Sequence, residues 1–342
     1  MTDSPVADDP ATPGLRFGVM YDCRMHPEGT SSMTDVYQQT IEQSVLADEL
    51  GFDQVWFTEH HFCEDGYLPA FQPLAGAIAA RTQQIRISTD IALLPLYHPI
   101  RLAEEMAVLD HLSNGRMELG IGMGYVPSEF AAFGVPLKNR VSMTEEGIEI
   151  LRLAWGDGPF SYSGKRYQLD DVDVYPKPVQ PGGPPLWIAA MSEAGARRAA
   201  RFGTHLLPQG KRDEVLDPWR RLVTEDGRDP AAHRVGIIRS VYVTDDKERD
   251  WPILRTAERY RMSIYNRFMA ETPDSYAWGD ANSIPQSVII GTAGECIAEL
   301  TSFIKTFGVT DIVSSGLPPG VDPEFMNRNL ERLAAEVLPV LR

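Results

Sequence analysis

The chain has 342 residues, 43% of them hydrophobic, and carries a net charge of −16 with an isoelectric point near 4.9. That acidity argues against nucleic acid and anionic membrane surfaces as partners, because both repel it. No apolar run approaches the roughly 20 residues of a membrane span.

Cys23, Cys63 and Cys296 form no CxxC pair, and so sparse and odd a count fits a reducing cytoplasm. Residues 1–14 are acidic and Pro-rich without an apolar signal core, which reads as a disordered leader. A strand is expected over 15–20, then a polar loop to Ser32, a helix over 34–50 stopped by Gly51, and a strand over 52–57. That strand ends in Thr58-Glu59-His60-His61. A helix over 69–81 leads to the stretch that organises the rest, residues 85–125. Ile85, Ile87, Thr89, Ile91 and Leu93 alternate as in a strand, Pro99 opens a helix, and Asn114-Gly115 stops it. A strand over 117–121 then runs into Gly120, Gly122 and Gly124, with Val126 and Pro127 following rather than an opening helix.

A helix over 139–155 completes the first half. The rhythm breaks over 156–185, rich in Gly and Pro, where Phe160–Tyr162 and Tyr167–Leu169 flank Ser163-Gly164-Lys165 as a small inserted hairpin. It resumes with a strand at 186–190, helix 193–202, strand 205–207, helix 211–224, a long strand at 235–243 and helix 247–266. Residues 270–288 show no clear period; helix 293–307, strand 311–315 and helix 323–341 close the chain. About eight strands alternating with helices define an α/β protein, either a closed (β/α)8 barrel or a doubly wound open sheet.

Barrel active sites sit at the C-terminal strand ends. Glu59-His60-His61 is the densest titratable cluster there, suited to acid–base work or metal ligation, or to plain structural duty. Adjacent strand residues point to opposite sides, so at most one histidine faces the mouth. Glycines alternating along the strand at 117–121 leave one face bare, either for a flat ligand or for tight packing. Ser192–Gly195 stands where a strand turns into a helix, so it is either a phosphate site or simply an N-cap. The aromatic and methionine-rich stretch 250–288 reads as the wall or lid of an apolar pocket, with the lid at about 267–288, or else as helix core and dimer contact.

Together, Trp56-Phe57-Thr58-Glu59-His60-His61-Phe62, Leu93-Leu94-Pro95-Leu96-Tyr97-His98-Pro99, Leu109-Asp110-His111-Leu112-Ser113-Asn114-Gly115-Arg116 and Glu118-Leu119-Gly120-Ile121-Gly122 resemble the bacterial luciferase-like flavin monooxygenase family. Pro176-Lys177-Pro178 before Trp187, and Ser192 ahead of Ala199-Ala200-Arg201-Phe202-Gly203, continue the resemblance in family order from residue 15 onwards. The resemblance implies a (β/α)8 TIM barrel with an insertion after strand four. It also implies a cytoplasmic homodimer that takes reduced FMN from a separate flavin reductase and uses O2 to oxygenate a small organic substrate, expected here to be apolar or aromatic. By the same resemblance His60 is the acid/base at the flavin edge, with Glu59 beside it. Asp90 and Ile91 form a strand-three bulge with a non-prolyl cis peptide behind the ring. Gly122, Met123 and Tyr125 line the end of strand four. Ala190, Met191, Ser192, Glu193 and Gly195 form the phosphate-side turn, with Arg140 as a second phosphate contact.

One departure stands out. Many FMN-dependent members carry arginine where this chain has Met123, and methionine makes no charge-assisted bond to phosphate. That keeps a deazaflavin, F420-dependent dehydrogenase or reductase as the alternative, although F420 users commonly show Asp-His rather than Glu-His-His on strand two. A metal-dependent barrel hydrolase using His60, His61 and Asp22 or Asp90 is a third reading, and a flavin-binding protein without catalysis a fourth.

Overall fold

The computed structural model describes residues 13–210, 212–270, 284–285 and 287–342. The expected leader and most of the expected lid segment lie outside the described residues. The strands are β1 (Arg16–Tyr21), β2 (Gln54–Phe57), β3 (Arg86–Thr89), β4 (Ala92–Leu93), β5 (Leu119–Gly122), β6 (Phe160–Ser163), β7 (Gln168–Val172), β8 (Leu186–Ala190), β9 (His205–Pro208), β10 (Gly236–Ile238), β11 (Ser240–Val243), β12 (Val288–Gly291) and β13 (Asp311–Ser315).

Two parallel runs, β10-β13-β1-β2-β3 and β4-β5-β8-β9, make up the barrel wall. Bridges Ile87↔Met117 and Leu206↔Val235 join the runs to each other, closing the ring. β3 and β4 are two halves of one barrel strand, interrupted at Asp90-Ile91, whose peptide bond is cis. The result is a (β/α)8 barrel, which settles the choice against an open sheet. Its interior is filled by Met20, Trp56, Trp187, Leu207 and Val313, with the two indoles edge to face at 5.7 Å.

Local chemistry sets the helix ends. Helix α1 (Met33–Glu49) opens on a capping box between Ser32 and Asp35. The helices α2 (Gln72–Ala79) and α3 (Pro99–Ser113) follow, and Asn114 terminates α3 in the left-handed region at φ 55°. The short α4 (Pro127–Ala132), α5 (Arg140–Trp155), α6 (Glu193–Phe202), α7 (Asp213–Glu225), α8 (Lys247–Ala270), α9 (Ala293–Phe307), α10 (Pro323–Arg332) and, after a π-helical turn at Leu333–Val337, α11 (Leu338–Leu341) complete the set of α-helices among the described residues.

The expected hairpin insertion is present as β6 and β7, and Glu146 of α5 anchors its turn by accepting the N–H groups of Lys165, Arg166 and Tyr167 at 2.9–3.2 Å.

Three expectations need correction. The strand expected over 235–243 breaks at Arg239: β10 stays in the barrel against β13, whereas β11 turns away to pair with β12. β12 falls at the end of a stretch read as lacking a period, and four buried residues are too few to reveal one. A helix does follow the glycines: α4 starts at Pro127, in the manner of Pro99 in α3, but six residues carry no visible periodicity.

Candidate active site

The C-terminal strand ends gather the titratable residues, and β2 supplies the centre. The ring of His60 is buried and its Nδ1 lies 2.9 Å from Oε1 of Glu129, which α4 carries in its first turn. That carboxylate oxygen also accepts the His61 backbone N–H at 2.7 Å. A carboxylate at Nδ1 makes that nitrogen the donor and leaves Nε2 as the proton-accepting atom. Nε2 has no hydrogen-bond partner among the described residues.

Aromatic rings enclose His60. Phe268 stacks on it at 4.3 Å, and Tyr67, Tyr125 and Tyr265 meet it edge-on at 5.0, 5.9 and 5.9 Å. The hydroxyls of Tyr67 and Tyr265 bond each other at 2.8 Å, tying α8 to the loop after β2. His61 takes a different partner, with Nε2 3.0 Å from Glu59 Oε1. The other oxygen of Glu59 accepts from the Tyr97 hydroxyl at 2.7 Å and the Leu93 N–H at 3.4 Å. Glu59 therefore spends its carboxylate on bracing β2, β4 and the turn at Tyr97.

Next to this centre lies the shelf built by β3, β4 and β5. A Cβ at Gly120 would collide with the Thr89 carbonyl, and one at Gly122 with the Ile91 side chain. The bare glycine face is thus filled from the neighbouring strand, which presents Ile91 there rather than exposed backbone. Asp90 beside it is buried; its backbone N–H donates to the Phe57 carbonyl at 2.7 Å and its carboxylate accepts from Gln209 Nε2 at 3.2 Å. Burial pushes its pKa up to about 7, against the lowering effect of Gln209.

The third part is the turn from β8 into α6. Ser192 occupies the N-cap position in extended backbone, yet its side chain makes no cap hydrogen bond. Met191, Ser192, Glu193 and Ala194 are exposed, so the start of α6 is open to solvent. Gly195 is needed because a Cβ there would press into Ala190. Glu193 stands at the same turn, its charge drawn off by Arg197 at 3.2 Å and Arg221 at 3.4 Å. Met123 and Tyr125 are half-buried after β5. Arg140 opens α5, donates to the Leu137 carbonyl at 3.2 Å and forms no ion pair among the described residues.

Among the described residues no three His, Cys, Asp or Glu side chains converge as a metal site. His60 and His61 each bond a different carboxylate, Glu129 and Glu59. No helix among the described residues is long and apolar enough to cross a membrane. Sequence reasoning missed Glu129, Gln209 and Tyr67. Pro127 followed by Glu129, a helix start with an acid in its first turn, is the signal that would have found the first.

The barrel mouth thus brings together a buried histidine–carboxylate pair, the Ile91 shelf and the exposed start of α6, and the relatives of the chain place it among the oxidoreductases. The chain belongs to the luciferase-like monooxygenase family, whose model matches residues 15–310. It is 27% identical over 344 residues to a 4-hydroxyprotoasukamycin monooxygenase from Streptomyces nodosus subsp. asukaensis, covering 92% of this chain and 89% of that one. It is 28% identical over 323 residues to an F420-dependent glucose-6-phosphate dehydrogenase from Amycolatopsis mediterranei, covering 88% and 94%. The crystal structure of the monooxygenase RslO1 from Streptomyces bottropensis superimposes with a TM-score of 0.83 at 25% identity, covering 96% of this chain and all of that one.

Proposed function

We propose that the protein is a flavin-dependent monooxygenase that takes reduced FMN from a separate reductase and uses O2 to oxygenate a small, apolar or aromatic organic substrate. The observation that carries this reading is the His60–Glu129 pair held inside an aromatic enclosure at the strand ends, with the Ile91 shelf on the next strand of the barrel. Ile91 would support the ring, and the first-turn N–H groups of α6 with Ser192 would hold the phosphate, helped by the helix dipole and Arg140. When bound, reduced flavin supplies the electrons that activate O2. The chain's own contribution is to exclude water with Tyr67, Tyr125, Tyr265 and Phe268, and to accept or return a proton at His60 Nε2. A homodimeric, cytoplasmic protein belongs to the same proposal.

A second reading has its own support. Met123 leaves the phosphate site without the arginine of many FMN users, and a dehydrogenase relative works with F420. Anaerobic titration of tryptophan fluorescence with reduced FMN, oxidised FMN and F420 separates the two. Selective uptake of reduced FMN, followed by substrate-dependent oxygen consumption, supports the monooxygenase. Preference for F420 with no oxygen consumption overturns it in favour of hydride transfer.

A further inference from the structure

At the end of β1, beside the aromatic enclosure, Asp22 is 5% exposed and its carboxylate accepts no hydrogen bond from any described residue. Its nearest cation, Arg24 Nη1, stands 3.7 Å away, beyond hydrogen-bond reach. The two neighbouring acids are fully served. Asp65 accepts from Arg24 Nε at 2.6 Å and the Tyr260 hydroxyl at 3.1 Å, while Glu258 accepts from Arg261 Nη2 at 2.9 Å and the Tyr242 hydroxyl at 3.2 Å. Asp22 alone of the three is left over. Arg24 Nη2 and Arg261 Nε are also buried without partners. Buried polar atoms normally find partners, and a buried carboxylate needs donors most of all. Asp22 is close enough to Tyr67 and Tyr265, the rings on His60, to act on both electrostatically.

We propose that the substrate carries a hydroxyl group on an aromatic frame, its ring lying against Tyr265 and Phe268 next to His60 and its hydroxyl donating to Asp22 while accepting from Arg24 or Arg261. The unpartnered set holds an acceptor and two cationic donors at once, so the group that completes it must both donate and accept. A ligand carboxylate is opposed by Asp22, Asp65 and Glu258, three negative charges against two positive ones. An ammonium is opposed by the two unpartnered guanidinium edges. A phenolic hydroxyl satisfies both sides without adding charge. This inference rests on reading the barrel mouth as the oxygenating site, and it narrows the apolar or aromatic substrate expected from sequence.

The test is calorimetric binding of four probes with one frame, 2-naphthol, 2-methoxynaphthalene, 2-naphthoate and 2-naphthylmethylamine, to the full-length protein with and without FMN. The naphthol is expected to bind about tenfold or more tighter than the methyl ether, the size of effect a hydrogen bond to a charged group gives. Asp22→Leu should remove that preference while leaving the ether's affinity unchanged, and Asp22→Asn, which still accepts, should retain part of it. If Asp22→Leu does not fold, the absorption of bound naphthol in the wild type reads the same bond: a red shift relative to the free probe is expected, and its absence overturns the proposal. Equal binding of naphthol and ether, or tighter binding of the carboxylate or the amine, also overturns it. FMN titration of the same samples keeps the two failures apart. FMN uptake without hydroxyl preference defeats this inference alone, and hydroxyl preference without FMN uptake defeats the flavin reading alone.

Discussion

At the scale of single residues the site depends on two buried acids doing opposite things. Glu129 is a positioning residue whose carboxylate fixes the proton of His60 on Nδ1 and so presents Nε2 to the mouth. His60→Ala should lower kcat by about 10²–10⁴-fold, the usual worth of a general acid or base, without weakening FMN binding in titration. Glu129→Gln should cost about 10–100-fold in kcat at unchanged KM, comparable to losing an orienting outer partner elsewhere; an unchanged kcat would reduce Glu129 to scaffolding.

Asp90 has little to offset its burial beyond one amide, so its folded pKa lies above the unfolded value, near 7 against about 3.9. The folded state then holds its proton more tightly, and stability falls as pH rises from about 4 to 7. Above that range Asp90→Asn should be the more stable protein by up to a few kcal/mol, an advantage that vanishes near pH 4. Denaturation of both proteins in urea between pH 4 and 8 checks the sign.

At the scale of elements, the proposed function assigns the phosphate to the β8–α6 turn. Its donors are backbone groups, so they cannot be removed by truncating a side chain, but they can be moved. Gly195→Val forces the first turn of α6 off Ala190 and should weaken FMN binding by about tenfold or more while leaving riboflavin, which has no phosphate, unaffected. Met123→Arg is expected to do the reverse, adding one charge-assisted bond and tightening FMN by about tenfold with riboflavin again unchanged. Parallel titrations with the two flavins distinguish a phosphate effect from general loosening. Arg116 shows the structural use of a family motif: its guanidinium donates to the carbonyls of Ala79, Thr82 and Ile85 at 2.7–3.0 Å, closing the end of α2 onto β3.

For the whole molecule, an ionic layer seals the N-terminal end of the barrel, opposite the site. Arg16 of β1 bonds Glu118 at 2.8 Å and Asp311 of β13 at 2.6 Å; Arg86 of β3 also reaches Glu118, and Trp187 of β8 donates to it at 2.7 Å. Burial by itself would raise the Glu118 pKa, but Arg16 and Arg86 overcome it and hold the carboxylate well below its usual range. The depressed value places its stabilising effect above the unfolded pKa, lost only as pH falls into the acid range. Glu118→Gln should therefore cost about 3–5 kcal/mol at pH 7, measured by urea unfolding, because it leaves two arginines facing a neutral amide.

Much of this was legible in the linear chain. The helix stop at Asn114-Gly115, the hairpin insertion, strands 186–190 and 311–315 and helix 193–202 follow from turn residues and periodicity, which are local properties. His60, Asp90-Ile91 and Ser192–Gly195 were identified as site candidates from residue chemistry at strand ends together with the family resemblance. What sequence determined by itself was therefore the set of elements and the ends that carry chemistry. Only the tertiary structure decided partnership. Glu129 meets His60 across 69 residues, Gln209 meets Asp90 across 119, and Ile91 occupies the space above Gly122. Such contacts have no period and no fixed spacing, because they arise only when a closed barrel brings strand ends together. Burial inside that barrel is also what separates a spent carboxylate such as Glu59 from an unsatisfied one such as Asp22.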